Sequence, residues 1–112
     1  MDTEFCILYV TAASEAEANR LAHVLVERRL AACGNILTRM QSVYRWQGEM
    51  CEASEVVLLL KTRTALADAA QALIQAEHPY ECPCIVRLPI TGGNPDYLAW
   101  LAAETAPPAD NR

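Results

Sequence analysis

The chain is short of positive charge. Lys61 is its only lysine, eight arginines are scattered along it, and 14 acidic residues leave a formal net charge of −5. A nucleic-acid binder normally presents a basic face, so this balance argues against that class. There is no run of about 18 apolar residues, which argues against a membrane-spanning helix. The opening Met1–Asp2–Thr3–Glu4 is acidic and lacks the basic start of a secretory signal. The expectation is a cytoplasmic protein. Its five cysteines are an odd number. Without an export signal they read as reduced thiols rather than a disulfide framework. No G-x-S-x-G, no H-E-x-x-H and no phosphate-cradling glycine loop occurs. Nothing places a cysteine beside His23 or His78, and no pair of carboxylates can be positioned. The expectation is therefore a protein that is not an enzyme. There are no repeats and no sign of a second domain. At 112 residues, 53% hydrophobic and 21% charged, the chain suffices for one globular core. We read residues 1–105 as a single domain and residues 106–112 as a disordered tail.

The most telling stretch runs from Ile36 to Thr62. From Ile36 to Trp46 the even positions are mostly apolar and the odd positions mostly polar. That period of two predicts a half-buried strand. A turn follows near Gln47, Gly48 and Glu49. The second arm ends in Val56 to Leu60, apolar on both faces. Ordinary strands run about five or six residues, and the first arm is roughly twice that. A domain of about 100 residues has a radius of gyration near 13 Å. The hairpin should therefore overhang its own domain. Tyr44 and Trp46 exposed on a long edge call for a cover, and other copies of the chain would supply it.

Around this hairpin the remaining elements fall in order. Phe5 to Thr11 reads as a central strand, apolar on both faces. Ser14 to Glu17 is a capping box, followed by the helical stripe Ala18, Leu21, Ala22 and Leu25. Thr64 is placed to cap a second helix with the stripe Leu66, Ala69, Ala70, Leu73 and Ile74. Pro79 ends that helix and pushes His78 towards an extended conformation. Pro83 to Ile90 suits an edge strand. Asn94 and Pro95 start a last helix. Strand, helix, strand, strand, helix, strand and an extra C-terminal helix make an α+β chain of the ferredoxin-like split β-α-β kind. Two helices cover one face of its sheet. The other face needs a second copy, which predicts a homo-oligomer.

Candidate chemistry concentrates after the second helix. His78, Glu81, Cys82 and Cys84 are residue types that bind soft or borderline metals, but one C-x-C and one histidine fall short of a four-ligand zinc site. The alternative is a rigid loop with the two cysteines as small residues on a sheet face. Glu55 and Lys61 share a strand face roughly 20 Å apart, so each needs another partner. Lys61 either binds an anion or reaches solvent by its stem. Tyr44, Trp46, Tyr80, Tyr97 and Trp100 serve packing, or a ligand cage.

Several runs taken together resemble one family. They are Arg29 to Cys33 (RLAAC); Ser42, Tyr44, Trp46 and Gly48 at alternate positions; Glu55 with Lys61 and Thr62; His78-Pro79-Tyr80-Glu81 with Pro83; Leu88-Pro89; and Tyr97-Leu98 with Trp100. The chain is similar in these to the CutA family of divalent-ion tolerance proteins, over nearly its whole length. The resemblance implies a ferredoxin-like subunit in a tight homotrimer, with long hairpin arms reaching the next subunit. It also implies copper tolerance and divalent-metal binding in the cytoplasm. The trimer resembles that of the PII signalling proteins. Copper ligands proposed in the family are a cysteine late in the first strand and two consecutive histidines. Val10 and Glu77 stand at the cysteine and at the first histidine, and only His78 matches. The expected metal ligands are thus His78 with Glu55 or Glu77, taking Cu2+ or another divalent cation with no organic cofactor. Trp46, Lys61, Tyr80 and Glu81 are expected to line a cleft between subunits. A PII-like sensor binding an anion through Lys61, and a scaffold trimer, are the alternatives.

Overall fold

The computed structural model describes residues 3–105; the expected tail at residues 106–112 lies outside them. The chain runs β1 (Phe5–Ala12), α1 (Glu15–Glu27), β2 (Cys33–Trp46), β3 (Glu49–Arg63), a 3-10 turn (Thr64–Leu66), α2 (Ala67–Glu77), β4 (Ile85–Ile90) and α3 (Pro95–Glu104). Four strands form one sheet in the order β2-β3-β1-β4, each neighbouring pair antiparallel. The strands apolar on both faces, β1 and β3, are central. The alternating β2 and the proline-bearing β4 are edges.

Local chemistry explains most boundaries. Ser14 Oγ accepts from the Glu17 amide at 3.1 Å, which satisfies an orphan donor at the start of α1. The return half of the capping box is not made: the Glu17 carboxylate accepts from Arg20 instead. Thr64 does not cap α2; the chain enters that helix through the 3-10 turn with no side-chain cap. The buried stripe of α2 is accordingly Ala67, Ala70 and Ile74, with Leu73 at its margin and Ala69 exposed. The helix stops at His78, whose ψ of 134° is extended, as the following proline requires. Asn94 Oδ1 caps α3 by accepting from the Asp96 amide.

The core lies between α1, α2 and one sheet face. Leu8 and Val10 of β1, Leu58 and Leu60 of β3, Leu21 and Leu25 of α1, and Ile74 of α2 are all fully buried there. Each such side chain contributes roughly 1.5–3 kcal/mol by burial. Gly34 permits the close approach of α1 to β2: a Cβ there would stand 3.0 Å from Ala22 Cβ and 3.2 Å from Leu60 Cδ2. On the opposite face α3 covers one end only, through Phe5, Ala32 and Leu101. Beyond it Leu37, Val86 and Leu88 are 55%, 49% and 43% exposed.

The hairpin overhangs as the sequence predicts. β1 pairs with β3 only as far as Ala12 opposite Val56, whereas β2 and β3 stay paired from there out to Trp46 opposite Glu49. The chain measures 47 × 29 × 25 Å, with a radius of gyration of 14.9 Å against the ~13 Å expected of a compact domain this size. Gln47 and Gly48 both have positive φ, 50° and 83°, the two-residue turn whose twist matches the flanking strands.

One feature departs from the sequence reading. The even positions of β2 do not keep one face. Leu37 pairs with Val57 but Met40 pairs with Glu55, so β2 carries one extra residue, a bulge at Thr38–Arg39, where Arg39 has φ 66°. Side chains alternate with a period of two, so one inserted residue exchanges the faces. Ile36 packs on the helix-covered core. Met40, Ser42, Tyr44 and Trp46 turn to the opposite face, alongside Glu55.

Candidate cation cleft

Glu55 is the first β3 residue beyond the reach of β1. Its carboxylate is held at both oxygens. Ser42 Oγ donates to Oε1 at 2.6 Å, and the Tyr80 hydroxyl donates to Oε2 at 3.0 Å. Two hydroxyl donors suit the ionised carboxylate, which has only acceptors. Among the described residues no cation pairs with it. Tyr80 is pushed up to about 12, first by burial and then by its bond to the Glu55 carboxylate and the nearby charge. Losing its proton would place a second anion against Glu55.

Tyr80 is itself positioned by His78. The Tyr80 amide donates to His78 Nδ1 at 3.1 Å, and His78 Nε2 lies 2.8 Å from the Thr11 carbonyl. The first contact makes Nδ1 an acceptor, so the proton sits on Nε2 and is donated to Thr11. The two rings lie 4.6 Å apart and tilted. His78 is 6% exposed, and both of its nitrogens are used within the chain. It links β1 to the loop that carries Tyr80.

Around Glu55 opens a cleft of about 770 Å³, walled by Tyr9, Tyr44, Trp46 and Tyr80, with Glu81 at its rim. Tyr9 donates its hydroxyl to Met40 Sδ at 3.5 Å, which fixes one wall. Cys82 and Cys84 also border the cleft, and both are free thiols. Burial pushes the Cys84 thiol up; its bond with Thr11 opposes that and the Glu55 charge adds to it. No lysine, arginine or histidine lines this cleft among the described residues.

The expected site residues divide. Trp46, Glu55, Tyr80 and Glu81 come together. Lys61 does not join them: its Nζ donates to the Tyr97 hydroxyl at 3.3 Å and sits 5.4 Å from that ring's centre, under α3. Glu77 faces α1, where Arg20 Nη1 donates to its carboxylate at 2.8 Å. The bonds to Glu17 first, and Glu77 second, raise the Arg20 guanidinium further. His78, Glu55 and Glu77 therefore do not converge on one point, and no group of three or more His, Cys, Asp or Glu side chains among the described residues is arranged to hold a metal ion. Ser42 and Thr11 were missed by the sequence reading. Ser42 had a signal, its alternate spacing with Tyr44 and Trp46. Thr11 acts through its backbone carbonyl and had none.

Among the described residues, a four-stranded antiparallel sheet and three helices define a small α+β domain with an aromatic cleft around Glu55. Comparison with known proteins supplies the family. Residues 6–104 match the family model described as CutA1 divalent ion tolerance protein. The chain is 46% identical over 99 residues to the divalent-cation tolerance protein CutA of Thermus thermophilus, covering 88% of this chain and 96% of that one. It is 40% identical over 93 residues to protein CutA of Mus musculus, and spans only 52% of that protein's length. Among solved structures, the Thermus thermophilus Cut A1 protein aligns with a TM-score of 0.88 at 46% identity, over 90% of this chain and 98% of that one. CutA1 of Shewanella sp. SIB1 aligns with a TM-score of 0.91 at 33% identity, over 95% and 99%. The chain belongs to the CutA1 divalent ion tolerance family.

Proposed function

We propose that this chain is a non-enzymatic, homotrimeric protein of divalent-cation tolerance in the cytoplasm, and that Glu55 is its cation-contacting residue. The observation that carries the reading is the Glu55 carboxylate: held by two hydroxyls, without a cationic partner among the described residues, in a cleft with no basic lining among those residues. Carboxylate oxygen is one of the ligands zinc takes, and it also suits harder divalent cations such as Mg2+ and Mn2+. The described residues of one subunit offer fewer donors than a closed site needs, so coordination would be completed by water or by a neighbouring subunit. His78 acts as the support of Tyr80 rather than as a ligand. The subunit is read as a ferredoxin-like split β-α-β unit, which the strand order β2-β3-β1-β4 supports. Three copies would cover the face that Leu37, Val86 and Leu88 leave bare. An anion sensor working through Lys61 is less well supported, because Lys61 stands on Tyr97 and outside the acidic cleft.

The test is a calorimetric titration of Zn2+ and Cu2+ into the wild type and Glu55→Gln. The expected result is at least about a tenfold loss of affinity, roughly 1.4 kcal/mol. Equal affinities would remove Glu55 from the site.

A further inference from the structure

Pro79 leaves α2 short of a donor at its end. The last carbonyls of a helix have no intrahelical donor, and the amides that follow usually fold back to satisfy them. His78 does so once, its amide donating to the Ile74 carbonyl at 2.8 Å. Pro79 has no N–H with which to do it again. His78 is extended, with ψ 134°, so the chain leaves the helix axis at once, and the last turn of α2 holds no basic residue. The missing donor comes from α1. Arg20 Nη2 donates to the Glu77 carbonyl at 2.7 Å and to Glu17 Oε1 at 2.8 Å, while Nη1 donates to Glu77 Oε1 at 2.8 Å. These bonds hold the guanidinium in one place, and its charge stands where a helix C-terminus favours a cation.

We propose that Arg20 is a positioning residue for Glu55, acting through the loop that carries Tyr80. The Glu77 carbonyl is half of the peptide bond that leads into His78. From there the links are direct: the Tyr80 amide donates to His78 Nδ1, and the Tyr80 hydroxyl donates to Glu55 Oε2. The loop therefore has an anchor on each side. The His78 ring bonds to the Thr11 carbonyl of β1 and fixes where the imidazole sits. Arg20 holds the Glu77 carbonyl from α1 and fixes the direction in which the chain leaves α2. Of its bonds, the one to the carbonyl matters, because the Glu77 side chain can change without losing it. Arg20 belongs to the helix layer, its side chain 41% exposed, on the face of the sheet away from Glu55. A change at Arg20 reaches Glu55 through this loop. The role rests on the reading of Glu55 given above; its bonds lie within one subunit and do not depend on what covers the bare sheet face.

The test compares Arg20→Met with Glu77→Gln. Methionine keeps much of the apolar stem and removes every donor, whereas Glu77→Gln keeps the carbonyl bond. Calorimetric titration of Zn2+ should show an affinity roughly three- to tenfold lower in Arg20→Met, unchanged in Glu77→Gln, and partly restored in Arg20→Lys, which regains a donor for the carbonyl. In a Tyr80→Phe background, Arg20→Met should change zinc affinity by less than about twofold, because the link it works through is already cut. An equal loss in that background, or wild-type affinity in Arg20→Met alone, overturns the proposal. Metal-free NMR separates the loop from the metal site. The Tyr80 amide resonance should move in Arg20→Met and stay in place in Glu77→Gln, whether or not zinc binds. If Glu55→Gln binds zinc as tightly as the wild type, the reading of Glu55 fails; a Tyr80 amide that still moves in Arg20→Met then upholds the anchor on the loop, and one that does not move overturns it as well.

Discussion

The Tyr80 hydroxyl donates to Glu55 Oε2 across 25 positions of sequence. That bond ties the loop after α2 to the root of the hairpin arm. It makes the cleft a joint between two parts of the subunit. Tyr80 should titrate late, near 12 rather than 10. Its folded value lies above its ordinary one, so its contribution to stability is complete below about 10 and is lost as pH rises from there through about 12. Phenolate absorbance of the wild type minus Tyr80→Phe reads this directly. In Glu55→Gln the value should fall but remain above 10, because burial, the largest cause, persists. Tyr80→Phe itself should cost about 1–2 kcal/mol by denaturant unfolding, a hydrogen bond to a charged group reduced by partial exposure.

His78 and Glu77 are neighbours with opposite consequences. His78→Ala removes a buried ring bonded at both nitrogens and should cost about 2–3 kcal/mol. It should also weaken zinc binding, because Tyr80 loses its support. Adding Tyr80→Phe to it should then change zinc affinity little, so a double-mutant cycle will show strong coupling. Glu77→Gln breaks a surface pair with Arg20. It should cost under about 1 kcal/mol and leave zinc affinity unchanged. A loss of binding in Glu77→Gln would return that residue to the site.

Two backbone positions set the arm. A Cβ at Gly34 would meet Ala22 Cβ at 3.0 Å, so Gly34→Ala should destabilise by about 1–3 kcal/mol through overpacking. Arg39 carries the bulge at φ 66°. Arg39→Val should cost about 1–2 kcal/mol, because a β-branched residue resists that conformation, while Arg39→Gly should be close to neutral. If the valine variant is equally neutral by chemical denaturation, the bulge is not held at that residue.

The exposed apolar face makes a prediction about mass. Sedimentation at low micromolar concentration should give about three times the 12.3 kDa chain mass. Leu88→Glu, on the bare face, should shift the mass towards one chain. A wild type that sediments as a stable single chain would remove the trimer.

Much of this fold can be read from residue patterns. Central and edge strands follow from whether both faces are apolar, and α1 from its stripe and Ser14. The overhang follows from the length of the apolar alternation before Gln47 and Gly48. The bulge at Thr38–Arg39 could not be read, since neither residue is the glycine or proline that usually marks one. It decides which face Ser42, Tyr44 and Trp46 occupy, and a single inserted residue reverses that. Lys61 and Glu55 share a face by parity, yet α3 claims one and the loop after α2 claims the other. That division depends on where distant elements pack. His78 was legible as a special residue. Its use as a support depends on the Thr11 carbonyl, which carries no side-chain signature.

The most direct test is an anomalous-scattering map from crystals soaked in Zn2+. The expected result is a peak in the cleft with a Glu55 carboxylate oxygen at about 2.0–2.2 Å, the usual zinc–oxygen distance, and the His78 ring still bonded to Thr11 and Tyr80. A peak on the His78 imidazole or on Glu77, with Glu55 left to Ser42 and Tyr80 alone, would contradict it.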